Sequence, residues 1–244
     1  MKLYKDLAKF YDLLYDYRDY SEEADFLVAE LSDSRSPRIL DVACGTGSHL
    51  FSLRTKFPTA RLAGIDLNSP MLEVARQKEI RARLEQADMR DFNLGEEFDL
   101  TYCLSSSIQY ALTERDLIRT LQNMHGHTPH GKVVFDLAFC KERWREGYTN
   151  ITANANESHQ VAELFTSHSR DGFSYWNPVY LIKDNSTGEL DMQVETQKIR
   201  LWSVQEVKEI LDHQNIRFRV ERGFDRKGED MDVPLFVLEK FKID

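Results

Sequence analysis

The residues that decide the fold are Ile39-Leu40-Asp41-Val42-Ala43-Cys44-Gly45-Thr46-Gly47-Ser48-His49-Leu50. A short apolar run ends in an acid, two glycines separated by one residue follow, and a helical pattern then begins. This order predicts a buried parallel strand, a tight loop and the start of a helix. Glycine permits a positive φ and the close approach of a ligand, and the free N–H groups at a helix start attract anions or polar ligand edges. The stretch therefore predicts a nucleotide-binding βα unit.

The kind of nucleotide loop depends on the residues beside the two glycines. Dinucleotide-binding loops of the G-x-G-x-x-G/A type need a third small residue at the position where this chain has Leu50. No Gly-Lys-Ser/Thr follows the loop, which excludes a P-loop. A NAD-dependent oxidoreductase therefore fits these residues poorly. A structural glycine turn in an ordinary βα unit is the other alternative.

The second predicted strand, Arg61 to Asp66, also ends in an acid, 19 positions after Gly47. In nucleotide folds an acid at the tip of the second strand accepts hydrogen bonds from ribose hydroxyls, and this is the role predicted for Asp66. The alternative is an acid that only caps the next helix. We expect that cap to come from Ser69, with Pro70 at the first helical position.

The third and fourth predicted strands end in further polar residues. Asp88 follows the third strand and can accept a hydrogen bond from an adenine amino group, while Met89 can lie on the ring. A turn aspartate and a core methionine are the alternative. The fourth strand, 98–103, leads into the small polar segment 104–110. Ligands of open parallel sheets bind beyond the carboxyl ends of the strands, so we expect the second substrate to approach there.

The flanking segments predict a lid and an insertion. Tyrosine and apolar residues over 3–18 predict an N-terminal helix, and a second helix is predicted from Ser21, its cap, to Leu31. A fifth strand, 131–137, is predicted to complete the parallel series.

After the fifth strand the parallel rhythm stops. Alternating runs with glycine turns over 149–202 predict an antiparallel insertion. The predicted organisation is lid helices and core over 1–148, the insertion over 149–202 and the rest of the core over 203–244. The last part starts at the capping box of Ser203 and ends in two strands joined by a charged hairpin over 223–232.

Composition limits the classes of partner. The chain has 244 residues, 41% of them hydrophobic, and a net charge of −9. This favours one α/β domain with an elaboration and argues against nucleic acid or an anionic membrane as a partner. The three cysteines lie far apart without a C-x-x-C motif, which predicts reduced thiols in a cytoplasmic protein. The histidines over 125–130 stand in a turn without cysteine or carboxylate neighbours, so no metal site is predicted.

The motifs together resemble a known family. Asp41-Val-Ala-Cys-Gly-Thr-Gly47 resembles motif I of the class I S-adenosylmethionine (SAM) methyltransferases. Together with Asp88-Met-Arg-Asp-Phe92, Cys103-Leu-Ser-Ser-Ser-Ile-Gln-Tyr110 and Phe10-Tyr-Asp-Leu13, it resembles the deoxyaminosugar N,N-dimethyltransferases of macrolide pathways. The resemblance implies an α/β, Rossmann-like sheet of order 3-2-1-4-5-7-6 with strand 7 antiparallel. It also implies that the insertion roofs the substrate, and that the protein is a homodimer.

One segment departs from that family. The family presents an arginine to a nucleotide diphosphate from a Gly-Arg-Gly-Leu-Phe segment near the C-terminus. This chain has Asp232-Val-Pro-Leu-Phe236 at the corresponding place, without the arginine. The resemblance therefore implies a small amine acceptor similar to an amino sugar. The missing arginine leaves open whether that acceptor is linked to a nucleotide, and another small amine or a hydroxyl compound is the alternative.

These observations predict a methyltransferase that moves a methyl group from SAM to a small-molecule acceptor, most simply an amine. A small-molecule O-methyltransferase and a non-catalytic SAM-binding protein are the alternatives. The expected SAM-binding residues are Tyr11, Tyr20, Asp41, Ala43, Gly45, Thr46, Gly47, Asp66, Leu67, Met71, Asp88, Met89 and Leu104. The expected catalytic residues are Tyr11, near the sulfonium, with Gln109 and Tyr110. The expected acceptor-binding residues are Tyr15, Ser106, Trp144 and Tyr180.

Overall fold

The computed structural model describes residues 1–31, 34–223 and 233–241. The predicted charged hairpin over 223–232 lies outside these ranges except for Gly223. Thirteen strands lie in the described ranges, in two sheets. They are β1 Arg38–Val42, β2 Arg61–Asp66, β3 Ala82–Gln86, β4 Leu100–Cys103, β5 Lys132–Asp136, β6 Thr149–Ala155, β7 His159–Arg170, β8 Phe173–Trp176, β9 Val179–Asp184, β10 Leu190–Val194, β11 Gln197–Arg200, β12 Ile216–Arg222 and β13 Pro234–Phe241.

The central sheet has seven strands in the order β12-β13-β5-β4-β1-β2-β3. Strand β13 pairs antiparallel with both β5 and β12, and the other neighbours are parallel. The predicted order 3-2-1-4-5-7-6 with an antiparallel seventh strand is therefore confirmed. Strands β1 and β4 are apolar and almost wholly buried, as parallel strands covered on both faces must be.

The order of the sheet brings the polar strand ends together. Asp41 of β1 is in register with Gly64 of β2 and with Tyr102 of β4. The carboxyl ends of these three central strands therefore share one edge of the sheet, and the glycine loop, Asp66 and the loop after β4 stand side by side there.

The helices are α1 Tyr11–Leu14, α2 Tyr20–Ala29, α3 Ser48–Lys56, α4 Ser69–Gln77, α5 Glu114–Gly126 and α6 Val204–His213. The capping box at Ser203 is confirmed, since Ser203 and Glu206 bond reciprocally. Two predicted caps are wrong. Asp19, not Ser21, caps α2 by accepting from the Ser21 N–H, and Asn68 holds the cap position of α4 without a side-chain bond. No helix of the described ranges is both long and apolar enough to cross a membrane.

The continuous N-terminal helix predicted over 3–18 is also wrong. The segment forms turns, one 3₁₀ turn at Ala8–Phe10 and the four-residue α1. Its apolar side chains form one buried cluster with three residues of the second sheet, and the members are Leu3, Leu7, Phe10, Leu14, Val161, Tyr180 and Ile182. Packing against a sheet overrides helix periodicity here, because most helical stability in proteins comes from tertiary contacts.

The predicted antiparallel insertion is confirmed as a six-stranded sheet, in the order β10-β9-β7-β8-β11 with β6 beside β7. We call this sheet the roof, because its inner face covers the N-terminal segment. Alternation along β7 defines the two faces. Val161, Glu163 and Ser167 are buried on the inner face, while Leu164 and Arg170 point outward.

Candidate active site

The glycine loop adopts left-handed backbone at both glycines, with φ of +54° at Gly45 and +74° at Gly47. A Cβ on Gly47 would lie 2.7 Å from Ile80 Cδ1 and 3.2 Å from Ala75 Cβ. A Cβ on Gly45 would meet only the mobile end of Met71, at 3.2 Å. Gly47 is therefore required by the packing of the segment around α4, whereas Gly45 leaves the loop backbone accessible to a ligand.

Asp66 stands at the tip of β2, directly beside the loop. Its carboxylate is 7% exposed and accepts hydrogen bonds from the N–H groups of Gly45 at 2.9 Å and Asn68 at 2.8 Å. Burial raises the pKa of Asp66, and these N–H groups oppose the shift. The next side chain, Leu67, is 59% exposed. An acid held at the loop with an exposed apolar neighbour is a suitable place for a ribose and the base attached to it.

Asp88 is held by an ion pair that the sequence analysis did not predict. Its carboxylate accepts from the backbone N–H of Arg90 at 2.9 Å and from the Arg90 guanidinium at 2.5 Å. This ion pair lowers the pKa of Asp88. Met89 is half-buried and packs against the core. The adenine contacts of Asp88 and Met89 stay predictions, and the Asp-x-Arg spacing is the sequence signal for the pair.

The N-terminal segment is tied to the glycine loop by Asp12, which was not a candidate residue. Thr46 Oγ1 donates to Asp12 Oδ1 at 2.6 Å, and Ser48 Oγ donates to the same oxygen at 3.2 Å. The Lys78 ammonium lies 2.7 Å from Asp12 Oδ2. We call these contacts the latch. They place Tyr11, the neighbour of Asp12, beside the loop.

A buried charged cluster supports the other side of the loop. Glu23 of α2 forms a bidentate ion pair with Arg18 and a very short contact with His49 in the first turn of α3. Burial disfavours the charged carboxylate, but His49 and Arg18 outweigh burial and lower the pKa of Glu23 to about 2. The ring of Tyr20 packs edge-on against His49, with centroids 4.9 Å apart. Tyr20 therefore lies at the loop, as its predicted SAM-binding role requires.

Asp41 is buried next to this cluster. Its Oδ2 and the hydroxyl of Tyr102 are buried, and neither makes a hydrogen bond of ordinary geometry to a described residue. Burial raises the pKa of Asp41 to about 7, against the opposing effects of His49 and the Tyr102 hydroxyl. An acid in this state favours a bound proton or a cationic group of a ligand.

The loop after β4 is strained and firmly held. Ser105 and Ser106 both have positive φ, at +65° and +61°. The Ser106 N–H donates to Asp136 at 2.6 Å, and its hydroxyl accepts from the Ala138 N–H at 3.0 Å. These bonds give Ser106 a positioning role, while its acceptor contact stays a prediction. Non-glycine residues with positive φ persist only where their surroundings hold them, and they cluster at functional sites.

Gln109 is fully buried and clamps the same loop. Its amide nitrogen donates to the carbonyls of Phe139 at 3.0 Å and Arg200 at 2.9 Å, and its amide oxygen accepts from the Phe139 N–H at 3.2 Å. Two of these bonds join the loop after β4 to the segment after β5, and the third joins it to β11. The structure therefore assigns Gln109 a positioning role, and its predicted part in catalysis stays untested.

Four of the predicted tyrosines meet beneath the roof. The ring of Tyr11 lies 4.7 Å from that of Tyr15, and both pack in the cluster that contains Tyr180. Tyr110 reaches them through Tyr4, whose hydroxyl lies 2.8 Å from its own. Burial raises the pKa of Tyr110 to about 12, so the phenol is neutral. The hydroxyls of Tyr15, Tyr180 and Tyr110 donate to Glu163, Glu195 and Gln197 respectively. The residues of this site that the sequence analysis missed are Tyr4, Asp12, Glu163, Glu195 and Gln197.

The remaining candidates are placed as follows. Met71 and Leu104 are buried, and Ala43 has a positive φ of +62° directly before the loop. Trp144 donates from its indole nitrogen to Glu146 at 3.1 Å and lines an open pocket with Arg170. The contact of Trp144 with an acceptor stays a prediction.

The histidine-rich turn is used structurally. His127 Nδ1 donates to the carbonyl of Asn123 at 2.9 Å, and its Nε2 accepts from the Leu94 N–H at 3.3 Å. In the part of the chain that the structure describes, no three His, Cys, Asp or Glu side chains are grouped to hold a metal ion.

Comparison with known proteins agrees with this fold and site. A family model described as a methyltransferase domain matches residues 39–131, which include the glycine loop, Asp66 and Asp88. The computed structure is similar to that of DesVI from Streptomyces venezuelae, with a TM-score of 0.83, 26% identity and coverage of 96% of this chain and 98% of the other. The sugar N-methyltransferase KedS8 from Streptoalloteichus gives a TM-score of 0.80 at 31% identity, with coverage of 94% and 92%. Fold and site thus define a class I methyltransferase.

Sequence relatives narrow the class. The dTDP-3-amino-3,6-dideoxy-α-D-glucopyranose N,N-dimethyltransferase of Streptomyces fradiae is 36% identical over 174 residues, which are 68% of this chain and 66% of the relative. The dTDP-3-amino-3,4,6-trideoxy-α-D-glucopyranose N,N-dimethyltransferase of Streptomyces venezuelae is 37% identical, with coverage of 68% and 71%. Each alignment spans about two thirds of the relative. The chain belongs to the family of SAM-dependent methyltransferases that contains these sugar N,N-dimethyltransferases.

SAM is therefore the cofactor, and the residues present fit it. The Asp66 carboxylate suits a ribose diol. The SAM contact of Asp41, whose Oδ2 is buried beside the Tyr102 hydroxyl, stays a prediction. Aromatic rings attract a sulfonium, and the place of Tyr11 beside it stays a prediction. Gly45 leaves room for the ligand at the loop backbone.

Proposed function

We propose that this protein transfers methyl groups from SAM to the amine of a small acceptor similar to an amino sugar. The supporting observation is the tyrosine cluster, which the latch at Asp12 holds beside the glycine loop. The names of the sugar-modifying relatives likewise describe methylation of an amino group. Because this chain lacks the arginine at the segment ending in Phe236, we propose an amino-sugar-like amine without requiring a nucleotide diphosphate.

The protein positions the two substrates and surrounds them with a dry, aromatic environment. Bound SAM supplies an activated methyl group on a positive sulfur. The chain must align the acceptor nitrogen with that methyl group and exclude water. In this proposal Tyr11 faces the sulfonium, and Tyr15, Tyr110 and Tyr180 line the acceptor. Gln109 and Ser106 hold the loop after β4 in place without touching the reacting atoms.

We also propose that the protein is a homodimer paired through the outer face of the roof. The strand registers place Ile151, Leu164, Val179 and Val194 in one row across four strands. The exposed apolar side chains of this face are Ile151, Leu164, Leu181, Leu190, Met192 and Val194. Large exposed apolar patches mark interaction sites. A second copy is the matching occupant, because this apolar row avoids the repulsion between two chains of net charge −9 and is complementary to itself.

We propose a cytoplasmic location on the basis of the thiols. The three cysteines, Cys44, Cys103 and Cys140, are free and buried. Free thiols are maintained in reducing compartments.

The function is tested by titration calorimetry with SAM and S-adenosylhomocysteine, followed by transfer of a labelled methyl group to amino sugars and small amines. Wild type should bind both ligands, and Asp66→Ala should lose roughly 2–4 kcal/mol of binding free energy with its ribose contacts. Absence of binding by wild type would refute the cofactor assignment. Labelling of hydroxyl acceptors alone would replace the amine by an O-methyl acceptor.

A further inference from the structure

Glu163 differs from the other deeply buried glutamates of the described chain. Glu23 and Glu30 are each paired with two basic side chains: Glu23 with Arg18 and His49, and Glu30 with Lys132 and Arg219. Glu163 is only 3% exposed, yet within the described ranges no Lys, Arg or His forms an ion pair with it. A buried carboxylate without a cation is costly, so this position favours a cation or a proton from elsewhere.

The groups that face Glu163 are tyrosines and a second carboxylate. Tyr15 donates to Glu163 Oε2 at 3.1 Å. Tyr180, opposite Glu163 on β9, shares its hydroxyl between Glu163 and Glu195. On the other side β6 presents only Thr152 in register with Glu163. Glu195 is itself held by the backbone N–H groups of the first residues of the chain. Among the described residues, the groups that are paired with or bonded to Glu163 bring no positive charge to it.

The same groups connect Glu163 to the proposed acceptor site. The ring of Tyr15 packs at a tilt against that of Tyr11, with centroids 4.7 Å apart, and the latch places Tyr11 beside the glycine loop. Gln197 bonds to the Tyr180 hydroxyl at 3.1 Å and accepts from the Tyr110 hydroxyl at 3.4 Å. Glu163 therefore lies at the hydroxyl ends of Tyr15 and Tyr180, two of the tyrosines that are proposed to line the acceptor, and aromatic rings attract cations.

We propose that Glu163 is the counter-ion and the proton acceptor for the acceptor amine. The inference rests on the proposed N-methylation. An amine enters as its ammonium ion and pairs with the carboxylate. Transfer of the ammonium proton to Glu163 frees the nitrogen lone pair. The lone pair forms the new N–C bond, while the C–S bond breaks and its electron pair stays on sulfur.

Glu163 also has a role between two transfers. After the first transfer the nitrogen carries a positive charge and a proton, which must leave before the nitrogen can react again. Glu163 takes this proton once it has passed its first proton through the Tyr180 hydroxyl to Glu195 and solvent. Burial raises the pKa of Glu163, against the opposing bonds from Tyr15 and Tyr180, and a higher pKa strengthens a carboxylate as a base.

The test compares wild type with Glu163→Gln, Glu163→Asp and the control Glu189→Gln, an exposed glutamate beside β10. The acceptors are dTDP-3-amino-3,6-dideoxy-α-D-glucopyranose, free amino sugars and simple alkylamines. For every amine that wild type methylates, kcat/KM is measured from pH 6.5 to 9.5, and singly and doubly methylated products are separated by mass. SAM affinity and Tm are measured for each variant.

We expect Glu163→Gln to lower kcat/KM on the order of 10²-fold near pH 7. The kcat/KM of the variant should approach that of wild type towards pH 9.5, because free amine is then available in solution. The singly methylated product should accumulate. Glu163→Asp should recover part of the rate, and Glu189→Gln should behave as wild type.

Three other outcomes would be decisive in different ways. Equal pH profiles and product ratios for wild type and Glu163→Gln would refute the role of Glu163 and leave the N-methyltransferase function intact. A loss confined to Tm and SAM affinity would assign Glu163 a structural role only. SAM binding without methylation of any amine by wild type would overturn the amine acceptor and, with it, this inference.

Discussion

Asp12 Oδ1 accepts a hydrogen bond of 2.6 Å from the hydroxyl of Thr46, and this contact ties the N-terminal segment to the glycine loop. The two residues lie 34 positions apart in the chain. Through this contact Tyr11 is held beside the loop by a polar bond as well as by packing. The position of the segment therefore depends on its contacts with the loop.

The latch predicts a binding defect for Asp12→Asn. An amide keeps the shape of the side chain but loses its charge, and with it the ion pair to Lys78. Because the Asp12 side chain is partly exposed, the loss should be about 1 kcal/mol, a five- to tenfold weaker SAM affinity by calorimetry. Tm should change little. The control is Asp6→Asn, on an exposed residue of the same segment, which should bind SAM as wild type does. An equal loss of SAM affinity in both variants would contradict the role of the latch.

The Glu23 cluster predicts a stability defect that depends on pH. Glu23→Gln leaves Arg18 and His49 buried without their carboxylate, at a cost of roughly 3–5 kcal/mol in the free energy of unfolding. The folded-state pKa of Glu23, about 2, is below its ordinary value of 4.5. The stabilisation by Glu23 is therefore present above pH 4.5 and is lost as pH falls towards 2.

Urea unfolding at pH 7 and pH 3.5 measures this effect. The difference in the free energy of unfolding between wild type and Glu23→Gln should be smaller at pH 3.5 than at pH 7. Glu22→Gln alters an exposed neighbour and should leave the free energy of unfolding unchanged. If this difference is the same at both pH values, the cluster stabilises the fold through packing and not through charge.

Asp41 predicts the opposite trend. Its folded-state pKa of about 7 is above the ordinary 3.8, so ionisation is easier in the unfolded chain. The ligand-free protein should therefore lose stability as pH rises from 3.8 to 7, by roughly 1.4 kcal/mol per pH unit. Asp41→Asn should remove this loss. The Tm of this variant should exceed that of wild type by an amount that grows from pH 5 to 7 and then levels off. A difference in Tm that does not change with pH would contradict the raised pKa of Asp41.

The outer face of the roof predicts a monomeric variant. Leu181→Glu places a charge in the centre of the apolar rows and should convert a dimer into a monomer in size-exclusion chromatography with light scattering. Phe51→Glu is the matched control, because it puts the same charge on an exposed apolar side chain of α3. A monomeric wild type, or dissociation by both substitutions, would refute the proposed interface.

The central sheet could be predicted from the sequence because its signals are local. Strands β2 and β5 are short, largely apolar runs that end in Asp66 and Asp136. Gly45 and Gly47 need backbone that other residues rarely adopt. The capping box at Ser203 is equally local. Such features depend on neighbours within a few positions and are readable without the fold.

The rest of the site depends on contacts between distant segments. Along β7, Glu163 is buried and Leu164 is exposed, the reverse of the usual binary pattern. The reversal has a physical reason: the roof has an apolar outer face and polar residues that point into the site. Asp12 likewise has no local signal, since its partner Thr46 lies in another segment. Periodicity also failed at the N-terminus, where contact with Val161 replaces a continuous helix.

The N-terminal segment finally has a consequence for biosynthesis. The backbone N–H of Lys2 bonds to Glu195, 193 positions further along the chain. A ribosome therefore releases the first residues long before their docking surface exists, and the glycine loop of Gly45 and Gly47 is synthesised while its cover is still unattached. Contacts of such long range close late in folding. During synthesis the glycine loop is therefore present well before Glu195 can hold the N-terminal segment, and the central sheet is completed only when β12 and β13 follow the roof.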